Sequence, residues 1–306
     1  MQAYIVVATK GRAKEVSRLL DILQQQSLLA TFTFIVGSES NDLGGLADHP
    51  LIAAGHGQAL ISPKVGATSQ RNFGILAVIN HHKLFQQDRY FCVFFDDDFR
   101  PDKDWLFQAS QRFIGGNIVG LTGHVLADGI NACGLEEEQA RDFLDGKAPP
   151  QSHWASGSEE RAIKSAYGCN MAFSDVIIES NRFDENLPLY GWQEDRDYTG
   201  MAIKKGRVIY FPGCRGVHLG AQKGRTSGVK FGYSQIANPL YLMKKGTMDF
   251  KAGVIHILRN FTANIVRSIT NNRPHVDYWG RLKGNFIAIR DVLRFRLDPR
   301  NIIKMN

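Results

Sequence analysis

The sequence predicts an α/β fold around a mostly parallel sheet, and three observations carry that prediction. A short apolar run at residues 3–8 (AYIVVA) is followed by an amphipathic helical pattern and a second apolar run at 31–36 (TFTFIV). That is the βαβ signature of neighbouring parallel strands. A further run at 90–95 (YFCVFF) is almost wholly apolar, as in a strand covered by helices on both faces. The first two runs lead into glycine-bearing polar stretches and the third into three acids, so loops gather at the carboxyl ends of the strands, where open α/β sheets bind ligands.

The elements follow in order. Val16, Leu19, Leu20 and Leu23 recur at helical spacing, which predicts a helix over 12–26. After the second strand comes a polar stretch, 37–45, then a short strand near 59–62 and a helix over 69–80. The strand at 90–95 runs straight into Asp96-Asp97-Asp98. Residues 118–123 read as another strand. Residues 128–160, polar with Gly, Pro and acids, read as a long loop or insertion. Strand character returns at 167–174, a helix follows over 196–205, and a last short strand at 208–211. Residues 222–230, rich in Gly, Lys, Arg and Ser, suit a mobile loop. Val254, Ile257, Leu258, Phe261, Ile265 and Ile269 form a helical stripe that 271–274 (NNRP) ends, and a second helix runs through Leu282, Phe286, Ile289 and Leu293.

With 306 residues, 43% hydrophobic and 22% charged, the chain is long enough for one α/β domain with an appended element, and its composition excludes disorder. The division expected is 1–220 and 221–306. No apolar run approaches the ~20 residues needed to span a bilayer. The apolar start precedes Lys10 and Arg12, the reverse of a secretory signal, and reads as a buried strand. Four scattered cysteines with no CxxC pair read as reduced thiols of a cytoplasmic protein. The net charge of +7 is uneven. Residues 251–306 hold eleven Lys and Arg against three Asp, a net +8, so the first 250 residues stand at −1. A basic tail on a near-neutral body suits a phosphate-bearing surface, lipid or nucleic acid, or else a plain solvated helical face. The apolar stripes of the tail are expected to pack mainly on the α/β domain, leaving a basic, partly apolar surface for an anionic membrane.

Three groups of residues can carry chemistry. Three carboxylates packed together repel one another, and a divalent cation such as Mg²⁺ or Mn²⁺ is their natural neutraliser. The glycine-led segment from Gly66 to Gly74 places Arg71 in the first turns of a helix, either aimed at a phosphate bound nearby or, as the motif alone favours, a surface arginine on a capped helix. In Gly191-Trp192-Gln193-Glu194-Asp195, an aromatic ring stands beside a carboxylate pair, as a general base for a sugar hydroxyl requires. His218, just after the last strand, is a possible imidazole ligand for a metal held by few carboxylates.

In order along the chain these segments resemble the family 2 glycosyltransferases. The matching stretches are Val7-Ala8-Thr9-Lys10-Gly11-Arg12, then Gly66 to Arg71-Asn72-Phe73-Gly74, then Phe95-Asp96-Asp97-Asp98. Next come Gly168-Cys169-Asn170, Phe183-Asp184-Glu185 and Gly191 to Asp197, with His218 last. The match spans about residues 3–220, and Lys223-Gly224-Arg225 onward looks like the flexible loop of many bacterial members.

The resemblance implies the GT-A fold, a Rossmann-like mixed, mostly parallel sheet flanked by helices, with a C-terminal helical extension. It implies an inverting, metal-dependent transfer from a nucleotide-sugar, UDP-sugar favoured, to a saccharide or polyprenyl-linked acceptor in surface-polysaccharide synthesis. Asp98 and His218 would hold Mn²⁺ or Mg²⁺. Thr9, Arg12, Arg71, Asp96 and Asp97 would belong to the donor and nucleotide site, with Thr9 lining the base pocket. Asp195 would be the general base, Glu194 its catalytic neighbour, and Trp192 part of the acceptor pocket. Peripheral attachment to the inner face of the cell membrane and a homodimer are both compatible with it, and no nucleic acid is expected. Family members commonly carry an acidic pair after the second strand. Here Val36-Gly37-Ser38-Glu39 stands in its place, with Glu39 the substitute, which leaves the nucleobase open. Two rivals are weaker. A sugar-phosphate nucleotidyltransferase would show a glycine-rich basic loop after the first strand, and Ala8-Thr9-Lys10-Gly11-Arg12 is a poor version of one. A nucleic-acid-binding protein would spread its positive charge across a groove, not concentrate it in the tail.

Overall fold

In β1 (Gln2–Ala8) successive side chains point to opposite faces of a sheet, and both faces are dry. Ala3, Ile5 and Val7 enter a core beneath α1 (Ala13–Leu23), while Tyr4 and Val6 enter a second core beneath α3 (Ala67–Phe85). β4 (Tyr90–Asp96) divides in the same way, with Phe91, Val93 and Phe95 in one core and Tyr90, Cys92 and Phe94 in the other. Burial on both sides is the reason these strands read as unbroken apolar runs. The structure is a computed structural model and describes residues 1–85, 89–131, 133–221, 227–270 and 276–305.

The other strands are β2 (Phe32–Gly37), β3 (Gly57–Ile61), β5 (Phe99–Pro101), β6 (Ile118–Asp128), β7 (Arg161–Ala162), β8 (Asn170–Ser174) and β9 (Arg207–His218). Among the described residues they form one nine-stranded sheet, ordered β3-β2-β1-β4-β8-β6-β9-β5, with β7 beside β9. β3, β2, β1 and β4 are parallel. β8 enters antiparallel between β4 and β6, β6 and β9 are parallel, and β5 and β7 run antiparallel to β9.

Several elements differ from the sequence reading. β9 is twelve residues long rather than a short strand at 208–211. The Pro212-Gly213 pair that reads as a stop is absorbed in an irregularity, where the register passes from Gly123↔Phe211 to His124↔Arg215. β6 continues to Asp128 for the same reason of partnership with β9. Within the stretch read as a long loop, α5 (Glu137–Leu144) starts with a reciprocal capping box between Glu136 and Gln139. α4 (Trp105–Ile114) was missed although Trp105, Leu106, Ala109 and Phe113 recur at helical spacing, and α6 (Asp175–Ser180) is too short to show a period. α7 (Glu194–Ala202) begins two residues before the predicted helix, so both Glu194 and Asp195 lie in its first turn.

The described chain resumes at Ser227, whose hydroxyl accepts from the Lys230 amide and starts α8 (Gly228–Lys245). Residues 228–230, read as part of a mobile loop, are therefore helical; 222–226 lie outside the described residues, as does the predicted helix end at 271–274. α9 (Phe250–Thr270) and α10 (Tyr278–Leu293) follow. α8 and α10 touch backbone to backbone, since a Cβ on Gly232 would meet the Arg281 carbonyl oxygen at 2.0 Å. Most of the α9 stripe does not pack on the α/β domain as expected, although Ile257 joins a cluster with Tyr233, Ile236 and Leu189. The buried residues of α9 are Gly253, Asn264 and Ser268, while Leu258 and Ile269 are exposed. Its inward face is fixed by amides: Asn264 Nδ2 donates to Gln235 Oε1 and Asn285 Oδ1, each at 2.7 Å.

Candidate functional site

The site is assembled by strand register. β4 ends on Asp96, whose amide donates to the Cys169 carbonyl at 3.2 Å. The chain then turns through Asp97 and Asp98 into β5, where Phe99 lies opposite His218 of β9. On the other side of β9, Asp128 of β6 also lies opposite His218. One rung of the sheet thus aligns β5, β9 and β6, with the imidazole in the middle. His218 Nε2 stands 3.4 Å from Asp98 Oδ1, and Nδ1 donates to Asp128 Oδ1 at 3.0 Å. Beyond His218, Gly220 takes φ +70° where a Cβ would meet the Gly129 carbon at 2.4 Å. That turn presents the Ala221 amide to Asp98 Oδ2 at 2.7 Å.

Asp96, Asp98 and His218 each offer a ligand atom, and these atoms lie within 4.8 Å of one another. Asp98 Oδ1 is buried and accepts no hydrogen bond. Two carboxylates, one imidazole and an unfilled buried oxygen fit a divalent cation. The electrostatics of the pair are mutual. Burial opposes the charge of Asp98, but His218, then Arg12 and the Ala221 amide, outweigh it and hold the carboxyl below its ordinary range. Burial likewise opposes protonation of His218, yet Asp98 and Asp128 carry it well above the usual imidazole value.

Asp128 was missed in the sequence because it fell in the segment read as a loop. It collects four donors: His218, the Tyr167 hydroxyl at 2.7 Å, the Ile130 amide at 3.0 Å and His153 Nε2 at 3.3 Å. A carboxylate behind the distal nitrogen of a ligating histidine fixes the ring and its tautomer. Register alone reveals this partner, and no local pattern around residue 128 signals it.

The middle aspartate is fully buried. Asp97 accepts the Thr9 hydroxyl at 2.7 Å and pairs with Arg12 at 3.0 Å, while burial pushes its carboxyl up to about 7 against the pull of Arg12. Arg12 also reaches Asp98 at 3.2 Å. Thr9 and Arg12 therefore fasten the loop after β1 to the triplet. Gln70 was also missed; its Nε2 donates to the Thr9 and Val36 carbonyls, both at 2.7 Å. Glu39 is exposed and shares a reciprocal capping box with Asp42. Asp42 is the buried carboxylate after β2, accepting the Gly11 amide at 2.6 Å and the Ser38 amide at 2.7 Å. The three-residue spacing of Glu39 and Asp42 was the signal for it.

Arg71 is buried in α3 and joins two halves of the site. Its guanidinium donates to Asp96 Oδ1 at 2.9 Å, to the Gly168 carbonyl at 3.1 Å and to Glu194. Burial and Asp195 push the Glu194 carboxyl up to about 8 despite that partner. Asp195 accepts from the Gly168 amide at 3.0 Å and the Arg196 amide at 2.7 Å, and burial still holds its carboxyl above the ordinary value. Trp192 is half-buried and meets the Phe231 ring edge-on at 5.8 Å. The turn that carries it is strained: Leu189 and Gln193 take φ of +60° and +74°, which non-glycine residues seldom adopt. Of the other matched segments, Asp184 accepts from Tyr241 and Lys245, and Glu185 from Lys64 and Asn72.

No family model matches the sequence, and no curated protein matches it. Solved structures do. S. aureus TarS, residues 1–349, is 15% identical with a TM-score of 0.57, over 97% of this chain and 83% of that one. The chain spans 39% of another TarS structure that it matches. The mannosyltransferase PcManGT from Pyrobaculum calidifontis, in complex with GDP-Man and Mn²⁺, is 14% identical with a TM-score of 0.55, over 95% and 87%. GalNAc-T7 with UDP, GalNAc and Mn²⁺ is 12% identical with a TM-score of 0.58, over 100% of this chain and 56% of that one. At these identities the likeness is one of fold. The fold is GT-A, a curled, mostly parallel sheet flanked by helices, shared with glycosyltransferases.

Proposed function

We propose that the chain is an inverting glycosyltransferase of the family 2 type, transferring a sugar from a nucleotide-diphosphate donor to a hydroxyl of a saccharide or lipid-linked acceptor. The observation that carries this reading is the convergence of Asp96, Asp98 and His218 within 4.8 Å at the end of β4, linked through Arg71 to Glu194 beside Asp195. TarS in complex with UDP-GlcNAc and PcManGT in complex with GDP-Man support a nucleotide-sugar donor, and we favour a UDP-sugar. Mn²⁺ accompanies two of the similar structures and suits an imidazole ligand, with Mg²⁺ as the alternative.

A divalent cation held by Asp96, Asp98 and His218 would supply Lewis acidity at the departing diphosphate. Asp128 keeps the His218 ring turned, while Thr9, Arg12 and Asp97 hold the nucleotide side of the pocket. Asp195 takes the proton of the acceptor hydroxyl, and its two backbone donors aim the carboxylate. Attack from that side, opposite the departing diphosphate, inverts the anomeric centre. Arg71 orients Glu194 and Asp96 together, and Trp192 offers an aromatic face to the acceptor. Residues 1–220 then form the catalytic part and 221–306 an extension. We place the reaction in the cytoplasm, in surface-polysaccharide assembly, in keeping with the free buried thiols Cys92, Cys169 and Cys214. Against a nucleotidyltransferase, Gly11 and Arg12 after β1 are already engaged by Asp42 and by the triplet.

The test is a thermal-shift screen of nucleotide-sugars with Mn²⁺ on the wild type and on Asp98→Ala. Stabilisation of the wild type by a UDP-sugar, absent in Asp98→Ala, is the expected result. If no nucleotide-sugar stabilises the wild type, the reading fails.

A further inference from the structure

α9 and α10 bury amides and a serine beside Tyr278, Leu282 and Ala288, and turn several large apolar side chains outward. Inside lie Asn264, Asn285 and Ser268, with Asn285 Nδ2 donating to the Gly232 carbonyl at 2.6 Å. Outside, Ile255, Leu258, Val266 and Ile269 recur on one face of α9, with Leu258 59% and Ile269 74% exposed. The outer face of α10 carries Trp279, Phe286 and Leu293 at 66%, 56% and 75%. The two faces are continuous, since Phe261 of α9 meets Phe286 of α10 edge-on at 5.8 Å. Burying side chains of this size in water-free surroundings is worth roughly 1.5–3 kcal/mol each, so an outward face of this kind needs a cover.

Charge identifies the cover. Lys251, Arg259, Lys283 and Arg290 are exposed among these apolar side chains. The acids of the stretch are mostly engaged elsewhere. Asp249 and Asp277 bond the amides of the first turns of α9 and α10, Asp298 binds Arg300, and Asp291, buried against the Tyr233 hydroxyl at 3.0 Å, also pairs with Arg290 at 3.2 Å. A second copy meeting this face about a two-fold axis would set cations against cations. An anionic surface neutralises them instead. Among the described residues no helix is long and apolar enough to cross a membrane, so the geometry is that of a pair of helices lying in the interface.

We propose that the outer faces of α9 and α10 dock this protein on a bilayer of anionic phospholipid, with Trp279 and Phe286 inserted at headgroup level and the Lys and Arg side chains on lipid phosphates. The helices join the candidate site through α8, where Asn238 Nδ2 donates to the Trp192 carbonyl at 2.7 Å. Docking would therefore hold the Trp192 turn close to any lipid-linked acceptor. The proposal rests on the helices and not on the donor site: it requires neither cation nor nucleotide, so either reading can fail alone.

Flotation of the full chain with phosphatidylcholine vesicles, with and without phosphatidylglycerol, tests it. The expected result is co-flotation with the anionic vesicles that weakens at high salt. Leu258→Ser with Trp279→Ser, and separately Arg259→Ala with Lys283→Ala, should each weaken binding at least about tenfold. Both double variants should melt as the wild type does, which separates a lost surface from a lost fold. Failure of the wild type to float with anionic vesicles overturns the proposal, as does flotation unchanged in both variants. It is equally overturned if the wild type is a dimer that Leu258→Ser with Trp279→Ser makes monomeric and neither species binds vesicles.

Discussion

Two regions of this molecule bury polar side chains, and they do so in opposite ways. At the end of β4 the buried groups are charged, and two carboxylate oxygens, Asp97 Oδ1 and Asp98 Oδ1, accept no hydrogen bond; Arg12 pairs with the first at 3.0 Å, and His218 stands 3.4 Å from the second. Between α8, α9 and α10 the buried groups are mainly hydrogen-bonded to one another: Asn264 bonds both Gln235 and Asn285, and the Tyr233 hydroxyl bonds Asp291. A buried carboxylate oxygen without a donor costs free energy unless a ligand completes it, whereas paired amides are already complete. The first region therefore points inward to a ligand. The second is architecture, and whatever it does is on its outer surface.

The largest effect that could break this contrast comes from Asp98. Asp98→Ala should lower transfer about a thousandfold or more and abolish Mn²⁺ binding in titration calorimetry without donor. Unchanged Mn²⁺ affinity would move the cation elsewhere. Asp195→Ala should lower transfer by about 10²–10⁴ while leaving donor binding intact. Burial raises the Asp195 carboxyl above its usual 3.8, and a base must be ionised. Its activity therefore falls as pH drops through that raised value, and a pH profile flat down to 3.8 would remove Asp195 from the role. Asp128→Asn should weaken Mn²⁺ binding about 10- to 100-fold with little change in folding, through loss of the His218 orientation. Asn264→Ala should do the reverse. Leaving Gln235 and Asn285 without a partner costs about 1–3 kcal/mol in denaturant unfolding, with Mn²⁺ affinity unchanged.

What was legible in the sequence was local. β1, β2 and β4 declared themselves by apolar runs, and Asp96-Asp97-Asp98 by its place after the most apolar of them. The acids at the start of α7 were visible for the same reason. Asp128 was hidden because its meaning depends on the pairing of β6 with β9, two segments about eighty residues apart in the chain. Pro212 and Gly213 hid the length of β9, since local punctuation outweighed a long-range partner. The stripe of α9 was visible as a period, but a period does not say which side faces solvent. Arg71 was read as a phosphate-facing group; the structure shows it bonded to two carboxylates and a carbonyl, which no spacing rule supplies.

The rung that sets Phe99, His218 and Asp128 side by side also defines where the chain tolerates a change of length. Strand side chains alternate, so inserting one residue between Cys214 and His218 turns the imidazole to the far face of the sheet, and inserting two carries it about 7 Å along. The irregularity at Pro212 and Gly213 lies just upstream, and there an added residue is taken up without disturbing the rung. Insertions in β9 should thus be tolerated on one side of Cys214 and not on the other, over a distance of a few residues.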